Sequence, residues 1–179
     1  TFIKEGIGIE RSSRFDYVNK SLYDYCFDIS LLSNLKSVFL KQHHRCHKEI
    51  IDYSSEAYYL PRLGQRLEVM TDSESFMYHP LGFQWINVNG LQIDGENMNK
   101  DEVLQCVETA VRLRSQYPDS SIGITTPFVD QAEEIRNTLP SSIRDTIMTQ
   151  VVHKFQGDEK DIIIFSLVVT DNSPTYKAN

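Results

Sequence analysis

The sequence has no apolar run that could cross a bilayer, which takes about 20 consecutive residues. The longest, Ile162 to Val169, is broken by Ser166 and is sized for a buried strand. The opening residues, Thr1-Phe2-Ile3-Lys4-Glu5-Gly6, lack both the charged start and the apolar stretch of a signal peptide. They also lack an initiator Met, as an excised fragment would. Cysteine is scarce and odd in number. Cys26, Cys46 and Cys106 lie far apart, which argues against a disulfide framework and for a reducing, cytoplasmic compartment. Positive charge is in deficit: 18 Lys and Arg stand against 25 Asp and Glu, a formal net charge of -7. A free-standing nucleic-acid binder is ordinarily basic, because phosphate neutralisation drives its affinity. Any role on nucleic acid must therefore come from a local site or a partner domain. Missing as well are a Gly-x-x-x-x-Gly-Lys-Ser/Thr phosphate loop, a Gly-x-Ser-x-Gly elbow and an Asp-Glu pair placed to hold magnesium. Phosphate-loop catalysis by this chain alone and elbow-type hydrolysis are both disfavoured.

What is present is enough for one domain. The 179 residues can bury a sizeable core, and 40% hydrophobic with 24% charged residues is ordinary for a soluble globular chain. Helical and strand patterns alternate without internal repeats. That order favours an α/β fold, a doubly wound and mainly parallel sheet with helices on both faces. Ser21 and Asp24 mark a helix start, followed by Leu22, Cys26, Ile29 and Leu32 at helical spacing. Val38-Phe39-Leu40 reads as a short strand, and a helix over roughly 46 to 59 is stopped by Pro61. Residues 61–82 read as a long surface loop. Phe83 to Val88 alternates like a strand and Asn89-Gly90 marks a turn. Asn99 with Glu102 opens a helix whose stripe is Val103, Val107, Ala110 and Val111. Ser121–Thr125, Thr146–Val152 and Ile162–Val169 read as strands, the last covered on both faces. Pro127 suits the first position of the helix that buries Phe128, Ala132, Ile135 and Leu139.

Three polar segments follow predicted strands: Lys41 to His47, Ile122 to Phe128, and Val152 to Asp161. In a parallel sheet, loops at the carboxyl ends of strands form the ligand crevice, so all three can meet on one edge. Together they supply a guanidinium, a helix N-terminus and a Gln-Gly turn flanked by carboxylates. A guanidinium fork and free helical N–H groups both suit phosphate.

These residues carry a resemblance. Gln42-His43-His44-Arg45-Cys46-His47-Lys48 with Tyr58-Tyr59 resembles the Gln-Tyr-Arg-Met-His-Pro motif, helix and Phe-Tyr of superfamily 1 helicases. The branch concerned is typified by the nonsense-mediated-decay helicase. Trp85 to Gly90, Asn99 to Glu102, Ile122 to Phe128 and Phe155-Gln156-Gly157-Asp158-Glu159-Lys160-Asp161 are similar to that family's later landmarks, in the same order. Three positions depart from its pattern: His44 stands in place of Tyr, Lys48 in place of Pro, and Asp158 where a basic residue is common. The resemblance implies the second RecA-like domain of such a helicase, a P-loop NTPase-type fold that itself lacks the P-loop. On this reading residues 1–179 are one domain, with 1–20 a leader from the domain before it. The family's last motif, Thr-Arg-Ala-Arg, would lie beyond Asn179.

The resemblance further implies that ATP and Mg2+ are bound against a first RecA-like domain, which holds the phosphates and the metal. Arg45 would be the arginine finger, with Gln42, Gln156, Gly157 and Glu159 shaping the nucleotide site. Thr126, Pro127 and His153 would contact single-stranded DNA or RNA. The chain alone would be inactive, with no metal site of its own and no membrane association.

Plainer readings of the same residues stay open. Arg45 is also placed to pair with Glu49 one helical turn on. Thr126-Pro127 serves equally as a helix cap, and Gln156-Gly157 as a simple turn with Glu159 and Asp161 as solvated charges. His153 reads as structural, Trp85 as a core or sheet-face residue, and the cysteines as small buried apolar groups. His43 and His47 are four apart, but no second ligand cluster accompanies them for zinc. A doubly wound interaction or regulatory module without catalysis is the alternative to a motor domain. An independent α/β enzyme such as a hydrolase is a third reading.

Overall fold

The structure, a computed structural model, describes residues 20–33, 38–72, 74, 76, 81–93 and 97–170. The expected leader over 1–20 falls almost wholly outside them. The chain forms two compact units, Thr1–Thr71 and Asp72–Asn179. It is mixed α/β with parallel sheets and helices, consistent with the RecA-like class expected from the pattern of elements.

In the first unit, helix α1 (Leu22–Leu32) starts at a capping box. The Ser21 side chain accepts from the Asp24 N–H, and Asp24 accepts from the Ser21 N–H. The apolar series Leu22, Cys26, Ile29 and Leu32 is exposed. The strand expected at Val38–Leu40 is absent. It is replaced by β1 (Gln42–His43), which pairs in parallel with β2 (Glu68–Val69). The presumed 61–82 loop therefore contributes a strand.

Helix α2 (Lys48–Ser54) passes into a π-helical stretch, Ser55–Tyr59, and then α3 (Leu60–Leu63). Pro61 does not stop it. The Leu60 N–H reaches back five residues to the Ser55 carbonyl, so the α register has already changed where proline removes a donor. The stop is Gly64, whose φ of 65° is the left-handed cap geometry that glycine adopts without strain.

The second unit holds the core. Helix α4 (Lys100–Gln116) is capped by Asn99, whose side chain accepts from the Glu102 N–H. Strand β3 (Ile122–Thr126) lies between β4 (Ile147–Val151) and β5 (Ile162–Phe165), all parallel. Between β3 and β4 come α5 (Val129–Thr138) and the short α6 (Ser141–Arg144). Strand alternation puts Ile122, Ile124 and Ile147 on one face. There they pack with Val103, Cys106 and Ala110 of α4 and with Ile135 and Leu139 at α5. Each of the Ile, Leu and Val side chains among them contributes roughly 1.5–3 kcal/mol by leaving water. The helix stripe is shifted from the expected one: Cys106 and Thr109 are buried, whereas Val111 is exposed.

A polar knot fastens the carboxyl end of this layer. Gln131, fully buried, accepts from the Asn99 N–H at 2.9 Å through Oε1, and its Nε2 donates to the Asn99 carbonyl and to Ser166 Oγ. The knot leaves no room beside it: a Cβ on Gly90 would collide with the Asn99 side chain.

Several expectations for this unit fail. Phe83 to Val88 is not a strand, and Trp85 is exposed, tilted against Phe83 at 6.4 Å between centroids. Pro127 lies outside α5, before its cap residue Phe128. β5 ends at Phe165, lies at the edge of the sheet among the described residues, and leaves Ile163 and Phe165 half exposed, so it is not covered on both faces. The cysteines differ from one another. Cys26 is exposed, Cys46 is half-buried, and Cys106 is buried, with burial and then the Glu102 carboxylate pushing its thiol up to about 12.

Candidate functional site

In the first unit the sequence around Arg45 folds into a closed turn directly after β1. The Cys46 N–H donates to His43 Nε2 at 2.7 Å, and the Thr71 hydroxyl donates to the Cys46 carbonyl at 2.8 Å. His43 must therefore be neutral with Nε2 unprotonated. Burial, followed by the nearby Arg45 and His44, holds it below the ordinary histidine range. His47 caps α2, its Nδ1 accepting from the Glu49 N–H at 3.4 Å. Both histidines that tempted a zinc reading thus serve the backbone. The turn holds its ends inward and leaves His44 and Arg45 exposed, while Gln42 is exposed on β1.

In the second unit, Thr126 ends β3 with its side chain fully buried, its hydroxyl accepting from the Phe128 N–H at 3.4 Å. Pro127 beside it is exposed. Val152–Lys154 forms one 3-10 turn at the carboxyl end of β4 and leaves His153 exposed. His153 and Thr126-Pro127 therefore share the carboxyl edge of the sheet.

Gln156, Gly157 and Glu159 do not join them there. β5 runs parallel to β4 on the far side of β3, so residues 152–161 must cross β3 and return to the amino end of the sheet. Phe155 lays its ring over Gly123, where a Cβ would meet it at 2.7 Å. At the far end, Asp161 accepts from the Ser121 N–H at 2.7 Å and from its hydroxyl at 2.6 Å. These bonds hold the Asp161 carboxyl below the usual carboxylate range. Gln156, Gly157 with its φ of 97°, and Glu159 are exposed on this crossing. Asp161 is thus an exposed charge, as the plainer reading had it, that also fastens the loop to Ser121. Sequence reasoning also missed Ser121, Gln131 and the backbone-capping role of His43. Only the Asn99-to-Glu102 spacing hinted at the knot that Gln131 completes.

The residues from 18 to 177 match the AAA domain family. The chain belongs to that family. This AAA domain is 27% identical over 151 residues to the Homo sapiens "Probable helicase with zinc finger domain", covering 78% of the chain and 8% of that protein. It is 30% identical over 140 residues to "Helicase sen1" of Schizosaccharomyces pombe, covering 70% of the chain and 8% of that protein. To the "DNA polymerase alpha-associated DNA helicase A" of Saccharomyces cerevisiae it is 27% identical over 153 residues, 73% of the chain and 22% of that protein. The AAA domain is therefore superfamily 1 helicase-like, as its motif order implied, and it spans 8% of the length of the first two relatives. Among the described residues no helix is long and apolar enough to cross a membrane.

Proposed function

We propose that this AAA domain is the second RecA-like motor domain of an ATP-dependent superfamily 1 helicase, with Arg45 as the arginine finger for ATP held by a first RecA-like domain. The observation that carries the reading is the closed His43–Cys46 turn. It spends His43 on the backbone and leaves Arg45 an exposed residue directly after a parallel strand. A guanidinium presented in this way donates two parallel hydrogen bonds to a phosphate and stabilises charge developing on it. Gln42 flanks Arg45 on β1. Gln156, Gly157 and Glu159 are exposed polar groups on the crossing loop of the second unit, where on this reading they would contact nucleotide.

The residues fit a role facing phosphate. Among the described residues no group of three His, Cys, Asp or Glu side chains could hold an ion. On this reading Mg2+ belongs to the first RecA-like domain, where it would neutralise phosphate charge. Single-stranded DNA or RNA would run along the carboxyl edge of the second unit. Pro127 and His153 are exposed there. Thr126, being buried, would act by shaping the β3–α5 turn rather than by touching the strand. Three free cysteines fit a reducing, cytoplasmic setting.

The test is ATP turnover by the full-length protein. Arg45→Ala is expected to lower it by roughly 10³-fold or more while nucleotide still binds. Arg45→Lys, which keeps the charge and loses the fork, is expected to recover only a small part. The 179-residue chain alone should turn over no ATP. Unchanged turnover in Arg45→Ala would remove Arg45 from the mechanism.

A further inference from the structure

Glu102 stands at the third position of α4, where a glutamate ordinarily folds back onto the N–H of the helix cap residue. Here that N–H is taken: Asn99 donates it to Gln131. Glu102 is thereby released from its own helix, and both its oxygens are used elsewhere. Oε1 accepts from the Leu167 N–H at 2.6 Å and Oε2 from the Val168 N–H at 2.8 Å. Two successive amides converging on one carboxylate form an anion nest, and charge-assisted bonds of this kind are about twice as strong as neutral ones.

What the carboxylate holds is strained. Val168 has φ 68° and is completely buried, a backbone conformation that a β-branched residue strongly disfavours. The turn begins where β5 ends. The Ser166 N–H still donates to the Thr125 carbonyl at 2.9 Å, so the bend leaves the sheet beside the β3–α5 turn. Gln131 grips the Ser166 hydroxyl from α5.

We infer that Glu102 is a positioning residue. By gripping the Leu167 and Val168 amides it fixes the direction in which the chain leaves β5, and so shapes the carboxyl edge beside Thr126-Pro127 for single-stranded nucleic acid. The inference rests on the reading of that edge as the nucleic-acid track. The grip itself does not.

The experiment uses the full-length protein with Glu102→Gln, in which an amide replaces one acceptor by a donor. Exchange of the Leu167 and Val168 amides is expected to accelerate by about tenfold or more, with the interior of α4 unaffected. The concentration of an unstructured single-stranded oligonucleotide that half-stimulates ATP turnover should rise about tenfold, while KM for ATP stays within about twofold. Adding Val168→Gly, which adopts positive φ without strain, should restore part of the oligonucleotide response. Unchanged exchange at both amides would overturn the grip. Faster exchange with an unchanged oligonucleotide response would overturn the positioning role while leaving the grip standing. Failure of the motor reading is recognised separately, by Arg45→Ala turning over ATP normally.

Discussion

His43 and Arg45 show how one short motif divides its labour. The same turn that exposes the guanidinium is closed by an imidazole that must stay uncharged to accept the Cys46 N–H. The imidazole is depressed below its ordinary value, so the unfolded chain takes up a proton first as pH falls. The closure is therefore fully present above the ordinary histidine range, near 6.5, and is lost as pH falls from there toward the depressed folded value. In proton NMR, His43 should titrate below a free histidine, and the Cys46 amide should lose its protection, relative to the intrinsic exchange rate at each pH, as it does. Titration at or above the ordinary value would mean that the turn is closed some other way.

Among elements, the crossing from β4 to β5 is the most exacting. Phe155 sits where a side chain at position 123 would be, with Ile163 Cδ1 at 3.1 Å from the same point. Gly123→Ala should cost about 1–3 kcal/mol through overpacking, read as a lowered denaturation midpoint. Pairing it with Phe155→Leu should recover part of the loss, and full additivity of the two would break the argument.

Elements with local signals were legible from sequence. The Asn99 cap and the stripe behind it placed α4, and Ser21 with Asp24 placed α1. Segments whose structure depends on a partner were not. Phe83 to Val88 alternates as a strand does, yet a strand exists only where a neighbour completes its hydrogen bonds. β2 is two residues long and has no periodicity to read. Positions in the candidate site were legible as residue types in order. Their division between the carboxyl edge and the crossing loop was not, because that follows from the strand order β4-β3-β5.

For the molecule as a whole, apolar burial is uneven. Every fully buried hydrophobic side chain among the described residues lies between Val103 and Val168, within the second unit. Among the described residues of the first unit the buried one is Ser55, whose hydroxyl accepts from the Leu67 N–H at 2.8 Å. Since apolar burial is the main term offsetting chain entropy, residues 72–179 alone should unfold in one cooperative thermal transition. Residues 1–71 alone should show none. A sharp transition in the smaller piece would contradict that division. The match to the AAA domain family extends across both units, from 18 to 177, so the family signature does not follow the distribution of the core.

The β4–β5 crossing has a consequence for how such a domain can vary. A helical connection can lose or gain a turn at its ends, and an ordinary surface loop can change length freely. Bare chain pinned at Phe155 and again at Asp161 has neither freedom. Dropping one residue would pull the ring from its glycine or part the aspartate from Ser121. Across relatives, the stretch between Val151 and Ile162 should refuse changes of length.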